Sequence, residues 1–468
     1  MLTPIDARYR PIVLPDRPMG DALLALVEPY QAIIFTQLRA VLDRTERSEF
    51  YPWIDTKIDL ITGKDLPADH PLLGRDVVSG WVQGRGLESI ARFATWLAPF
   101  AGDAAVDRCI ERSRALAADL LARLGQARQR NGGHLHFFMT PAGDAFGFDA
   151  GGDRVPLALD AASPHGYSDL FSAKGMLAAA HLLRDAAAYD EARNFCLAVN
   201  DDVVARRFRS DQPQPELGAR AWIGDAHSHG PYMISLGTAA LFAEFEPGPD
   251  AAGLGLAMAQ HVLHGHVNVG GRWPRLWEHD LVEFVDGAGE PYVDDAGRII
   301  SDPGHSLEYV GLFLKYSRAV RRCGGATAAQ AAALADLEAA MPGVLRRAFA
   351  NGWRPAVGGI CKAVDLLTRD AVDDTMPWWS LPETIRAALA AWRVAEDEPT
   401  RRACLEMVAS AHNAFVTHYV RPETHLMAVK VRDGRGEVVD QMPAYPDADP
   451  GYHTALSLID AVELIVAG

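Results

Sequence analysis

The sequence predicts an all-α fold, an (α/α)6 barrel of about twelve helices with small β-hairpins in the loops at one mouth. Three observations predict it. Apolar residues recur at helical spacing in stretches beginning near residues 30, 86, 103, 168, 188, 230, 250, 304, 327, 378, 398 and 451. Stretches with a charged face alternate with stretches that are apolar or small almost all round. Long loops rich in Gly, Pro and Asp lead into the apolar stretches, and loops of that length are usually functional.

In the first helix Ile34, Leu38, Val41 and Leu42 share one face, after Pro29 closes the preceding turn. The third, fifth and eleventh helices (DRCIERSRALAADLLARL, DEARNFCLAVNDDVVARRF, TRRACLEMVASAHNAF) set a charged face against an apolar one and belong on a surface. The fourth, sixth, eighth and twelfth (DLFSAKGMLAAAHLL, PYMISLGTAALFAEF, SLEYVGLFLKY, TALSLIDAVELIVA) are expected to be covered on every side. Outer and inner helices alternating in six pairs describe two concentric rings, hence one catalytic domain over residues 1–468. No repeat is visible at the level of identical residues, so the barrel follows from the alternation alone. The long connections fall at 131–165, 209–229, 266–303, 351–377 and 420–450. Three of them hold β-prone runs around Gly or Asp-Gly turns: HLHFFMTPAGDAFGF, LVEFVDGAGEPYVDDAGRII and HLMAVKVRDGRGEVV. These read as hairpins covering one mouth.

The chain has 468 residues, 49% hydrophobic and 23% charged, the balance of a globular protein with a sizeable core. A formal net charge of −16 without a compensating basic run argues against nucleic acid as a partner. The N-terminal residues lack an apolar signal region and no stretch is apolar enough for a membrane helix, so the expectation is a cytoplasmic protein with no membrane partner. Cys109, Cys196, Cys323, Cys361 and Cys404 are odd in number and widely spaced, which suits buried thiols.

Residues able to do chemistry gather where loops enter the inner helices: WVQGR at the second, HGYSDLF at the fourth, HSHGPY at the sixth, PGHSLE at the eighth, MPWWSLPE at the tenth and GYHTAL at the twelfth. Parallel inner helices would bring Arg85, His165, Asp169, His229, His305, Glu308, Trp379, Glu383, Tyr452 and His453 around one polar cavity. The partial positive charge of a helix N-terminus disfavours imidazolium, which keeps histidines there neutral and fit to act as bases. Each residue has a plainer reading. His305 can cap its helix, Arg85 can pair with Glu88, Glu308 can simply favour the helix start, and Trp378 and Trp379 can be core. The HxH runs at His134/His136, His227/His229 and His264/His266 invite a metal, but no further ligands are marked out, and the expectation is no metal and no cofactor. Walker, Rossmann and GxSxG motifs are absent.

At these positions the chain resembles the N-acylglucosamine 2-epimerase superfamily, which includes cellobiose 2-epimerases and mannose isomerases. The resemblance spans nearly the whole chain. It is carried by Trp81-Val-Gln-Gly-Arg85, Asp169 and Phe171, Pro303-Gly-His305 with Glu308, Trp378-Trp379 with Glu383, and Tyr452-His453. It implies an (α/α)6 barrel, His305 and His453 as the general acid/base pair, and Arg85, Glu308 and Glu383 lining the sugar site. Two positions depart from the family pattern: Tyr232 stands where a Glu often follows the sixth-helix histidine, and Leu456 where an Arg often follows the last one. The expected function is interconversion of a neutral aldose with its ketose or C2 epimer through a cis-enediolate. Asp169, His229, Trp379 and Tyr452 are expected to join Arg85, Glu308 and Glu383 in binding the sugar, in a monomer or homodimer. The rivals are a glycoside hydrolase using Glu308 with Glu383 or Asp169, and a sugar-binding or partner-binding protein without catalysis.

Overall fold

Twelve α-helices form in the computed structural model, which describes residues 2–48, 51–70, 72–149, 151–212, 226–424, 431–440 and 448–467. They are α1 (Val27–Arg47), α2 (Gly80–Leu97), α3 (Ala104–Arg130), α4 (Tyr167–Leu183), α5 (Ala186–Val204), α6 (Gly230–Phe245), α7 (Pro249–His266), α8 (Pro303–Cys323), α9 (Ala328–Gly352), α10 (Ser380–Val394), α11 (Glu398–His418) and α12 (Thr454–Val466). Each even-numbered helix packs on the next, and α12 returns to α2, so these six close an inner ring. The odd-numbered helices pack outside it, α3 on α2 and α4, α7 on α6, α9 on α8 and α11 on α10. This is the (α/α)6 barrel.

Burial follows the sequence pattern. Every residue from Ser168 to Ala180 in α4 and from Gly230 to Ala243 in α6 is buried. In α3 the buried residues are Val106, Cys109, Ser113, Ala117, Leu120, Leu121, Leu124 and Ala127, a single stripe at steps of three and four apart from the adjacent pair Leu120 and Leu121. Small residues let inner helices touch: a Cβ on Gly84 would lie 2.5 Å from the backbone nitrogen of Ser172, and one on Gly175 would lie 2.3 Å from the carbonyl oxygen of Gly84. The backbones of α2 and α4 therefore meet without side chains between them.

Several boundaries differ from expectation. α2 starts at Gly80 rather than near 86, because the glycines that weaken its helical signal are the ones its contact with α4 requires. Pro29 lies inside the first turn of α1, where its missing N–H costs nothing, and does not close a preceding turn. Of the cysteines, Cys323 is only half-buried, and all five are free thiols.

Short antiparallel strands occupy the loops: β1 (Val78–Ser79), β2 (Phe138–Met139), β3 (Phe146–Phe148), β4 (Arg154–Pro156), β5 (His227–Ser228), β6 (Phe284–Val285), β7 (Ile300–Ser301), β8 (Ala363–Asp365), β9 (Ala371–Asp373), β10 (Met376–Pro377), β11 (Val431–Arg432) and β12 (Val438–Val439). They pair as β1·β2, β3·β4, β5·β6, β7·β8·β9 and β10·β11·β12. The run at 281–300 turns back on itself as expected, with Val285 bridging Pro291 and Tyr292 N–H donating to the Phe284 carbonyl at 3.0 Å, and in addition β6 pairs with β5 before α6 and β7 pairs with β8 before α10. In the run expected as a hairpin over 425–439, β11 and β12 pair as foreseen, while 425–430 lie outside the described residues, as do 213–225 and 441–447 of the long loops. A small second core of Trp273, Leu276, Val282, Val285, Ile299, Cys361, Val364 and Leu366 binds these loops to one another. No helix among the described residues is long and apolar enough to cross a membrane.

Candidate active site

Most outer helices begin at a capping side chain, with Asp103, Asp185, Thr327 and Asp397 accepting from backbone N–H groups of α3, α5, α9 and α11. Five inner helices do not. The residues preceding α6, α10 and α12 are His229, Trp379 and His453, none of which makes a side-chain cap. At these three N-termini a ring-bearing side chain stands where a cap would. α8 keeps both: Asp302 accepts from Gly304 N–H at 2.9 Å and from His305 N–H at 3.2 Å, leaving the His305 ring free of that task.

Trp379 stands between the two expected catalytic histidines. Its ring centre is 5.6 Å from that of His305 and 5.3 Å from that of His453, tilted 27° and 33° from them. On the His305 side, Nδ1 lies 3.2 Å from Oε1 of Glu283, and Asp302 Oδ2 is at 3.4 Å. Glu283 also lies 3.2 Å from Nε2 of the fully buried His229. A carboxylate only accepts, so His305 Nδ1 carries a proton and Nε2 is left over for a ligand. His305 keeps 28% of its side chain exposed, so solvent reaches it. Burial alone would lower its pKa, but the charges of Asp302 and Glu283 outweigh burial and the opposing Lys362, and the net shift is upward. Lys362 pairs with Asp302 and has its ammonium 5.3 Å from the Trp379 ring centre. The expectation that a helix N-terminus keeps the histidine neutral fails at His305, because two carboxylates at contact distance exceed the pull of the helix dipole.

On the other side His453 is buried, with Nδ1 3.0 Å from Oε1 of Glu383. Here the expectation of a neutral ring agrees with the structure. Burial depresses the His453 pKa to about 3, with Arg85 and Arg386 adding to the effect against Glu308 and Asp449. Burial pushes Glu383 up to about 7, while its contact with the Arg386 guanidinium pulls it down. Glu308 is buried one turn into α8, and its Oε1 has no hydrogen-bond partner among the described residues. Its carboxylate, that of Glu383 and the His453 ring each bring a ligand atom within 4.8 Å of the others.

Aromatic rings hold Arg85. Its guanidinium carbon is 4.0 Å from the Phe171 ring centre, 5.0 Å from Tyr452 and 5.4 Å from Trp81. Glu88, the alternative partner for Arg85, is bound instead at 3.0 Å by the buried Lys174, which also donates to the Tyr452 hydroxyl at 2.6 Å.

Asp169 and His165 stand apart from this group. Asp169 accepts from Leu135 N–H at 2.7 Å and Gly166 N–H at 3.0 Å and meets His134 Nδ1 at 3.1 Å, so its oxygens hold the entry to α4. His165 meets Asp202 at 2.7 Å. Tyr232, at the position that departs from the family pattern, donates to the Val203 carbonyl. Sequence reasoning missed Glu283, Asp302, Lys362 and Arg386. Arg386 carries a usable signal, one turn after Glu383 in PETIR; Glu283 carries none, since LVEFV reads as a strand.

Among the described residues three groups could offer ligands to a cation: His134, His165 and Asp169; His229, Glu283 and His305; and Glu308, Glu383 and His453. None pairs the two histidines of an HxH run. In the third, Arg386 lies against Glu383, and its fixed positive charge opposes a bound cation.

A family model for N-acylglucosamine 2-epimerase (GlcNAc 2-epimerase) matches residues 176–455, more than half of the chain. The chain belongs to the N-acylglucosamine 2-epimerase family. It is an isomerase of the sugar-epimerase kind, and the matched span holds His229, Glu283, His305, Glu308, Trp379, Glu383, Tyr452 and His453. Solved structures agree on the fold. The chain is similar to a cellobiose 2-epimerase from Spirochaeta thermophila DSM 6192, with a TM-score of 0.63 at 12% identity, covering 96% of this chain and 98% of that one. A cellobiose 2-epimerase from Bacillus thermoamylovorans B4167 gives a TM-score of 0.63 at 12% identity over 94% and 99% of the two chains. A D-mannose isomerase gives 0.57 at 13% over 91% and 97%. At such identities the likeness concerns architecture alone. No curated protein sequence matches the chain.

Proposed function

We propose that this family member interconverts a neutral aldose with its ketose or C2 epimer through a cis-enediolate, with His453 as the base and His305 as the acid. The observation that carries this reading is the pair of imidazoles flanking Trp379 in opposite electrostatic settings, one beside two carboxylates and the other buried near two arginines. Two groups of one type with pKa values pushed apart are suited to acid and base roles.

With Glu383 ionised, His453 donates from Nδ1 and offers the Nε2 lone pair to the proton on C2 of the open-chain sugar. The electrons of that C–H bond form the C1–C2 double bond, and the carbonyl π electrons move to O1. Arg85, held by its aromatic collar, stabilises the growing charge on that oxygen. Return of the proton to C1 on the same face, with O2 losing its proton as O1 regains one through His305, gives the ketose. Delivery of the His305 proton to C2 from the opposite face gives the epimer. Glu308, with its bare Oε1, receives a sugar hydroxyl, and Trp379 presents an apolar face to the ring. His229 and Tyr452 act behind these groups, His229 through Glu283 and Tyr452 through Arg85. Asp169 serves as a positioning group for α4. The whole chain works as one catalytic domain, on a neutral rather than a phosphorylated sugar, because the buried cations here are matched by carboxylates.

Incubation with a panel of neutral aldoses and ketoses, followed by proton NMR, tests the reading. Appearance of a ketose or C2 epimer from at least one aldose supports it. Unchanged sugars throughout, with or without weak binding, would support the non-catalytic alternative.

A further inference from the structure

Glu283 lies in the connection between α7 and α8, on neither helix that carries a histidine of the site, yet it is bonded to both. Its side chain meets His229, at the start of α6, and His305, in the first turn of α8. Its main chain repeats the same connection: its carbonyl accepts from His229 N–H at 3.4 Å, and its N–H donates to the carbonyl of Ile300 in β7 at 2.9 Å. β6 begins at the next residue and pairs with β5, the strand leading into α6, while β7 leads into α8. One residue is thus clamped by backbone bonds to the entry strands of both histidine-bearing helices, and the side chain that leaves this clamp is a buried carboxylate.

The groups facing His305 come from every element around it: Asp302 ahead of α8, Lys362 ahead of β8, Trp379 ahead of α10, His229 ahead of α6, and Glu283. Asp302 is the obvious rival for control of His305. Its Oδ1 is taken up by the two N–H groups it caps and its Oδ2 by the Lys362 ammonium, which leaves His305 a contact of 3.4 Å. Glu283 instead places both oxygens against Nδ1, at 3.2 and 3.4 Å, and its remaining partner is His229.

We propose that Glu283 is a positioning residue that fixes the His305 ring, with Nε2 toward the sugar, keeps that ring protonated as the acid, and takes its own position from His229. The inference rests on the acid role given to His305 above. Burial would raise the pKa of the Glu283 carboxyl, but the two histidines more than reverse this and hold it as the anion the role requires. Backbone bonds fix the clamp, so removing the charge alone should leave the fold standing.

The test compares the intact protein with Glu283→Gln, Glu283→Asp and His305→Asn on a sugar that it turns over. Glu283→Gln is expected to lower kcat by at least about tenfold with KM changed less than about twofold, short of the roughly 10² to 10⁴ expected for His305→Asn. Its kcat/KM profile should lose the high-pH side at a lower pH than the unaltered protein, and Glu283→Asp should move part of the way back. An unmoved high-pH limb in both Glu283 variants would overturn the proposal, even if kcat falls. Imidazole NMR of the unaltered protein supplies a readout independent of folding in the variants: the resonance missing from His305→Asn should titrate above the ordinary histidine value, and titration at or below that value would also overturn it. If His305→Asn keeps near-normal turnover, the acid role itself fails; if that variant is inactive while the Glu283 variants keep the normal limb, only the role of Glu283 fails.

Discussion

His305 and His453 are the same side chain in two settings, and the settings decide what each can do. Glu283 and Asp302 favour the cation at His305, whereas burial near Arg85 and Arg386 favours the neutral ring at His453. The pH dependence follows from this. Glu383 must be ionised to accept the Nδ1 proton of His453, and with its pKa raised to about 7 it loses that ability as pH falls through neutrality. His305 must be protonated, and it loses its proton above a pKa raised from the ordinary histidine value. A bell-shaped kcat/KM profile is expected, with its acid limb near pH 7, and Glu383→Gln should abolish that limb while lowering kcat. A rate constant across pH 5 to 9 would contradict the assignment. The two histidines were legible in the sequence because each sits in a short motif at a helix start. The charge on His305 was not, because Glu283 lies 22 positions away, and neither was the pairing of His453 with Glu383, 70 positions apart.

At the scale of single elements, a helix start can be used either to stabilise the helix or to carry a reacting group, and α8 does both through Asp302 and His305. Asp302→Ala is expected to lose the cap, at a cost of about 0.5–2 kcal/mol in chemical denaturation. It should also lower the pKa of His305, since one of its two carboxylates is gone, so stability and the high-pH limb should fall together. A stability loss without any change in the pH profile would show that Asp302 serves the helix alone. The contact of α2 with α4 makes a second prediction. Gly84→Ala places a methyl against the α4 backbone and should cost about 1–3 kcal/mol, the usual range for overpacking, read from the denaturation midpoint. The same glycines explain the misjudged start of α2, since a helical propensity argument sees their local cost and not the contact they permit.

For the whole molecule, the two rings were legible because covering a helix on all sides removes its charged face, and that absence is visible residue by residue in α4 and α6. The loop strands were less legible. Two-residue strands such as β5 and β7 carry too little periodicity to show their partners, and those partners lie in other loops. This is also why Asp169, which shares a motif with the site residues, turned out to hold the α4 entry, while Glu283 went unnoticed. The barrel brings His229, His305, Trp379 and His453 together from the starts of α6, α8, α10 and α12, and proton transfer to and from carbon is what that group is proposed to do. The most direct measurement is proton NMR of a turned-over sugar in deuterium oxide, run in parallel on the unaltered protein, His305→Asn and His453→Asn. Deuterium at C1 or C2 of the product, with each variant slowed by roughly 10² to 10⁴, is the predicted result. Near-normal turnover by both variants, with new reducing ends released from an oligosaccharide and lost on Glu308→Gln and Glu383→Gln, would contradict it.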